Sequence, residues 1–153
     1  MSFIEIKTII NADIQTCFDL ARNIDFHTAS LEYSNEKAIA GKTSGLIELN
    51  EWVTWEAKHL GLTQQLTSRI TEFKSPHYFV DEMVSGAFKS FKHEHIFQAE
   101  NGKTVMIDRF QFESPFGIIG KIANVLFLKR YMTKLLTTRN AFLKEKAEHI
   151  AKT

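Results

Sequence analysis

Cysteine, proline and glycine are scarce: one, two and seven in 153 residues. A lone Cys17 rules out an internal disulfide. It shares a helical apolar stripe with Ile14, Phe18 and Ala21, so it reads as packing rather than as a nucleophile. The segment around Met1 has neither a basic stretch nor a cleavage site, which argues against secretion. Lys121, Lys129 and Arg130 interrupt the best candidate for a membrane span, and no uncharged apolar run of about 18 residues exists. A cytoplasmic location is the expectation. Phosphate-binding glycine loops, G-x-S-x-G and H-E-x-x-H are all missing. The pair Gly117 and Gly120 opens a helix and is no dinucleotide fingerprint. No cofactor is expected. A net charge of +1 gives no general case for nucleic acid.

What the chain has in quantity is aromatic surface. Thirteen Phe and two Trp suit a dense core or the lining of an apolar cavity. Charge is unevenly spread. From Ser114 onward there are eight Lys/Arg against two Asp/Glu, and before it eleven against sixteen, so the two parts carry +6 and −5. The basic part is either a solvated helix face or a surface making weak contact with an anionic membrane or an acidic partner.

Nothing local stops a helix after Gly120. Residues 115–152 therefore read as one long helix, with Ile118, Ile122, Val125, Leu126, Met132, Leu135, Leu136, Phe142 and Leu143 spaced for one apolar face. Residues 3–10 alternate as a strand with one wet face. Asn11 or Asp13 caps a helix to about Asn23, and residues 25–31 form a second short one. A weak strand over 34–40 and the turn 41–45 lead into five further strands over 46–58, 64–73, 77–84, 89–98 and 104–113. The chain is a single α+β domain, 1–153, with the order β-αα-β(six)-α and an antiparallel sheet.

Turns fix the pairing. Asn101-Gly102 makes a two-residue hairpin, which sets Phe97 opposite Met106, His95 opposite Asp108, His93 opposite Phe110 and Glu94 opposite Arg109. A two-residue turn at Ser75-Pro76 pairs Phe73 with Tyr78, Thr71 with Val80 and Arg69 with Glu82. Carried onward, it sets Asp81 near His93. A turn at His59 to Leu62 brings Trp52 to Arg69, in reach of a cation–π contact. One face then carries charge. The other is apolar except for Asp81, His93, His95 and Asp108.

Polar groups on an apolar floor are costly unless paired, and the register offers His95 to Asp108 and His93 to Asp81. Four uses fit these residues. They are anchors for a ligand's polar group, acid/base groups acting on a bound carbonyl compound, a metal site built on His93 and His95, or a buried network that only pins the register. No metal is expected.

Residues 53–61, 66–71, 81–88 and 93–97, together with the element order, resemble the START-like helix-grip superfamily (SRPBCC), in particular a bacterial subgroup. That superfamily holds lipid-transfer domains, polyketide aromatase/cyclases and birch-pollen-allergen-like carriers. The resemblance implies a curved seven-stranded sheet, a terminal helix across its concave face and a mainly apolar cavity between them. Trp55, Phe79, Phe91, Phe97 and Phe110 from the sheet, with Ile122, Leu126 and Met132 from the helix, are expected to line it around the four polar groups. The expected partner is an apolar or amphipathic small molecule. A cyclase or dehydratase using the same groups is the alternative, and an adaptor working through the basic helix face is another.

Overall fold

The computed structural model describes residues 1–59, 61–114 and 121–153, without the side chains of Tyr33 and residues 121–125. Strand β1 (Ser2–Ile10) leads into helices α1 (Ile14–Ala21) and α2 (Ile24–Ser30), a 3-10 turn (Glu32–Ser34) and β2 (Lys37–Gly41). Then follow β3 (Trp52–His59), β4 (Leu62–Lys74), β5 (Tyr78–Ser85), β6 (Ser90–Glu100), β7 (Lys103–Glu113) and α3 (Lys121–Ala151). The seven strands form one antiparallel sheet in the order β1-β7-β6-β5-β4-β3-β2.

The helices begin where side chains supply the missing acceptors. Asp13 accepts from the Thr16 amide at 3.1 Å, and Asn23 accepts from the Phe26 amide at 3.0 Å. The break between α1 and α2 is held by the segment after β2, where Ile24 N–H donates to Gly45 and Ile47 N–H to Arg22. That tie explains why residues 46–51, expected as strand, form a loop. Their backbone groups are spent on the α1–α2 junction and on Ile70.

The β6–β7 hairpin has the predicted register throughout, with Asn101 and Gly102 both at positive φ. The β4–β5 hairpin agrees only in part. Arg69 faces Glu82 and Ile70 faces Asp81, but beyond a bulge at Thr71 the pairing shifts by one, to Glu72 with Val80 and Phe73 with Phe79. An extra residue in one strand re-aims everything on its far side, and the turn runs through a cis Ser75-Pro76 bond. Trp52 does sit opposite Arg69. Among the described residues, however, the cation lying over a ring is Arg22, above Phe18 and Phe73.

Helix α3 runs 31 residues, about 46 Å. It lies against β1, α1 and α2 and buries Leu135, Leu136, Arg139, Asn140, Leu143 and Ala147. The expected apolar stripe holds at Leu135, Leu136 and Leu143 but fails at Leu126, 57 % exposed, and at Phe142, 42 % exposed. Ile118 lies outside the described residues, as do the side chains of Ile122 and Val125. No described helix is long and apolar enough to cross a membrane.

Leu143, 1 % exposed, joins Phe18, Phe79, Phe97 and Met106 in the larger core cluster. Leu143→Ala is expected to lower unfolding free energy by about 2–5 kcal/mol in urea titration. A loss below about 1 kcal/mol would show that α3 is not held by this contact.

Candidate functional site

The concave face has a polar centre. Its strands set Asp81 opposite His93 and His95 opposite Asp108, as the turns predict. The hydrogen bonds run on the diagonals instead. Nε2 of His93 lies 2.8 Å from Oδ1 of Asp108, and Nε2 of His95 lies 2.7 Å from Oδ2 of Asp81. The direct neighbours stay farther apart, at 3.9 Å for His93 Nδ1 to Asp81 and 3.6 Å for His95 Nδ1 to Asp108. The two imidazoles stack, with centroids 3.8 Å apart, and Phe79 stacks on the other side of His95 at 4.0 Å.

Helix α3 closes the cluster from above with two residues that charge counting alone assigns to a solvated basic helix. Arg139 Nη2 donates to Asp108 Oδ1 at 2.9 Å, and Asn140 Nδ2 donates to Asp108 Oδ2 at 2.7 Å. Arg139 also donates to Asn140 Oδ1, which fixes the pair to each other. The signal is present in the sequence: positions 139 and 140 lie four residues after Leu135 and Leu136 and just before Leu143, on the apolar stripe itself. Polar residues there need a buried partner.

A cavity of about 80 Å³ lies beside this cluster, beneath the α1–α2 junction. Trp55, Ile70, Phe79, Ile24 and Val53 give it apolar walls, while Asp81, His93, His95 and Arg139 give it polar ones. His27 also lines it, tilted against Trp55 with centroids 4.3 Å apart and hydrogen-bonded to Glu36 at 2.8 Å. The side chains of Asp81 and His27 keep 19 % and 23 % exposure, so the cavity reaches solvent.

Several expected lining residues lie elsewhere. Phe97 is packed into the main core with Phe18 and Phe79, and Phe91 and Phe110 pack with Ile4, Phe112, Leu136 and Met132 in a second cluster. Asp108 is buried behind the two histidines, and Leu126 is largely exposed. All but Leu126 are drawn inward, yet none of these expected residues lines this cavity, because aromatic rings fill the sheet under the first half of α3.

Electrostatics follow from burial and pairing. Burial pushes the Asp108 carboxyl up, but Arg139 and the His93 hydrogen bond override it and hold the group well below the usual carboxylate range. Asp81 is likewise raised by burial and carried below its ordinary value by His95 and His93. His95 moves down to about 4, because burial disfavours its charged form and His93 adds to that, against the opposing bond to Asp81.

A histidine with a depressed value is protonated in the unfolded chain before it is in the folded one. Its share of stability is therefore complete above about pH 6.5 and is lost as pH falls toward 4. That share is roughly 3 kcal/mol. In chelating buffer, the urea midpoint is expected to fall steadily across this interval, before the carboxylates titrate. A midpoint that stays flat from pH 6.5 to 4.5 would contradict a buried neutral His95.

No protein-family model matches the chain, and no curated protein matches it. The likeness is to solved structures. Protein TTHA0849 from Thermus thermophilus superposes with a TM-score of 0.79 at 15% identity, covering 98% of this chain and 99% of that one. The di-domain ARO/CYC StfQ of the steffimycin biosynthetic pathway gives 0.80 at 10% identity, over 99% of this chain and 52% of that one. Major latex-like protein 151 from Panax ginseng gives 0.66 at 13% identity, over 95% and 97%. At such identities the fold is what is shared. With its seven-stranded antiparallel sheet gripped by a long terminal helix, the chain has the START-like helix-grip fold.

Proposed function

We propose that this chain binds an amphipathic small molecule in the cavity between α1–α2, the sheet and α3. The observation that carries this reading is the division of the cavity wall. Trp55, Ile70 and Phe79 offer apolar surface to a guest's body, and Arg139, Asp81 and Nδ1 of His93 offer polar contacts to its polar end. An apolar wall with a few convergent polar groups orients a ligand, because desolvation gives affinity and the polar contacts reject wrong poses. The polar end is set by the network behind it. Asp108 has three donors and is satisfied internally, whereas Oδ1 of Asp81 accepts no hydrogen bond among the described residues and is free for a guest.

Size sets a condition on entry. At about 80 Å³ the cavity is well below the roughly 300 Å³ at which drug-sized ligand pockets begin. A larger guest must part α2 from α3 over the cavity. The Phe26 and Phe142 rings, with centroids 5.4 Å apart, join these two helices. Phe142 is 42 % exposed, so this seam is thinly covered.

Binding fits the histidines better than turnover does. A general base works best with a pKa near the operating pH. His95 is held at about 4, and both Nε2 atoms are engaged with carboxylates.

The test uses Trp55 as reporter, in a Trp52→Phe background that removes the outer-face indole. A medium-chain fatty acid is expected to change Trp55 emission saturably. Ser68→Leu, which pushes a branched side chain into the cavity from β4, is expected to weaken binding at least about tenfold, the effect of about 1.4 kcal/mol. Equal binding by Ser68→Leu would place the guest elsewhere. Absence of any saturable response, together with native mass spectra of host-purified protein that show no bound molecule, would count against the reading.

A further inference from the structure

We propose that Asp81, His93 and His95 form a binding site for a divalent transition metal of the zinc class, with its open coordination positions facing the cavity. One ligating atom from each residue lies within 4.8 Å of the others, and all three side chains line the cavity. Two imidazoles and a carboxylate are a donor set that such ions accept, and a three-residue set leaves room for a further ligand. His93 and His95 stand two apart on β6 and Asp81 faces His93 on β5, so rigid strands present the set. The site stands on the chain's own residues and does not depend on the guest proposed above.

The groups behind the ligands carry the inference further than proximity does. A metal-bound histidine usually donates its other ring N–H to a carboxylate, which fixes the tautomer. His93 is already arranged so. Its Nε2 contacts Asp108, while its Nδ1, 3.9 Å from Asp81, makes no hydrogen bond among the described residues. Asp108 is in turn held by Arg139 and Asn140.

His95 supplies the second observation. Its Nδ1 is buried without a hydrogen-bond partner and sits 3.6 Å from Oδ1 of Asp108. A buried, unpaired polar atom calls for an explanation. In the neutral ring, Nε2 carries the proton and donates to Asp81, so a bare lone pair faces a carboxylate oxygen. A metal on Nε2 reverses this. The proton then resides on Nδ1 and points at Asp108, so one carboxylate backs both histidines.

Charge and distance are compatible with occupancy. With both imidazoles neutral, the form a metal binds, two carboxylates and one guanidinium leave the cluster with a single negative charge. Ligand atoms around a tetrahedral zinc lie about 3.4 Å apart. The present separations of 2.7 and 3.9 Å bracket that value. The Asp81 side chain, 19 % exposed, would have to shift by about 0.5–0.7 Å to equalise these two separations at the tetrahedral value.

The test uses untagged full-length protein, stripped by a chelator and titrated with Zn²⁺ against a chromophoric competitor. One ion per chain is expected, with Asp81→Asn and His93→Gln each weakening it at least about 100-fold. Asp81→Asn keeps an acceptor for His95, so it decides the matter if the other variant misfolds. Long-range ¹H–¹⁵N spectra of His95 are expected to show the proton on Nε2 without metal and on Nδ1 with it. Three results would each overturn the proposal: no stoichiometric binding by the wild-type chain, undiminished binding by Asp81→Asn, which would assign the ion to surface imidazoles, or a His95 proton that stays on Nε2 in zinc.

Discussion

The carboxylate of Asp108 is the constraint around which the molecule is arranged. It is 1 % exposed and takes donors from β6 and from α3 at once. An ionised carboxylate that deep is tolerable only if its lone pairs are filled and its charge is offset. Arg139 and Asn140 do both from α3, and His93 fills a further lone pair from the neighbouring strand. Apolar packing alone would let a long amphipathic helix slide or roll on a floor of phenylalanines, since contacts among similar side chains are nearly interchangeable. Two directed hydrogen bonds from α3 to one fixed group remove that freedom. The helix is thus set in register against the sheet at the point where the cavity lies.

That arrangement links stability to function. The residues that pin the helix also form or back the cavity's polar wall, so the site gains rigid supports without a dedicated scaffold. The packing is divided to match. Under the first half of α3, Phe88, Phe91, Phe110 and Phe112 make edge and tilted contacts that fill the space. Toward its C-terminal half, where Arg139 enters, a void remains beneath the α1–α2 junction. A hollow survives there because its walls are tied by hydrogen bonds, which hold groups apart as well as together.

Much of this is legible in the residues, for reasons that can be named. Asn101-Gly102 allows essentially one hairpin, and a strand's period of two then fixes every partner along β6 and β7. Asp81, His93, His95 and Asp108 therefore group correctly on the inner face. Which imidazole bonds which carboxylate is not legible, because register sets Cα neighbours while sheet twist and side-chain rotation choose between direct and diagonal partners. The bulge at Thr71 has no marker such as glycine, and it shifts the outer half of the β4–β5 hairpin. Residues 46–51 alternate like a strand, but Ile47 gives its amide to Arg22 and Asn50 gives its amide to Ile70, a tertiary competition that no local pattern reveals. Arg139 and Asn140 escape a count of charge along the helix and emerge only when residues are placed around it.

The dependence of the fold on this one carboxylate is open to direct measurement by a double-mutant cycle on Asp108→Asn and Arg139→Gln, with unfolding free energies taken in urea. Groups in one buried network couple, and distant groups add. A coupling of at least about 1.5 kcal/mol between the two substitutions is the expected result for charges that hold each other in place. Additivity within about 0.5 kcal/mol would mean that Arg139 and Asp108 are independent neighbours, and that α3 is seated by apolar packing alone.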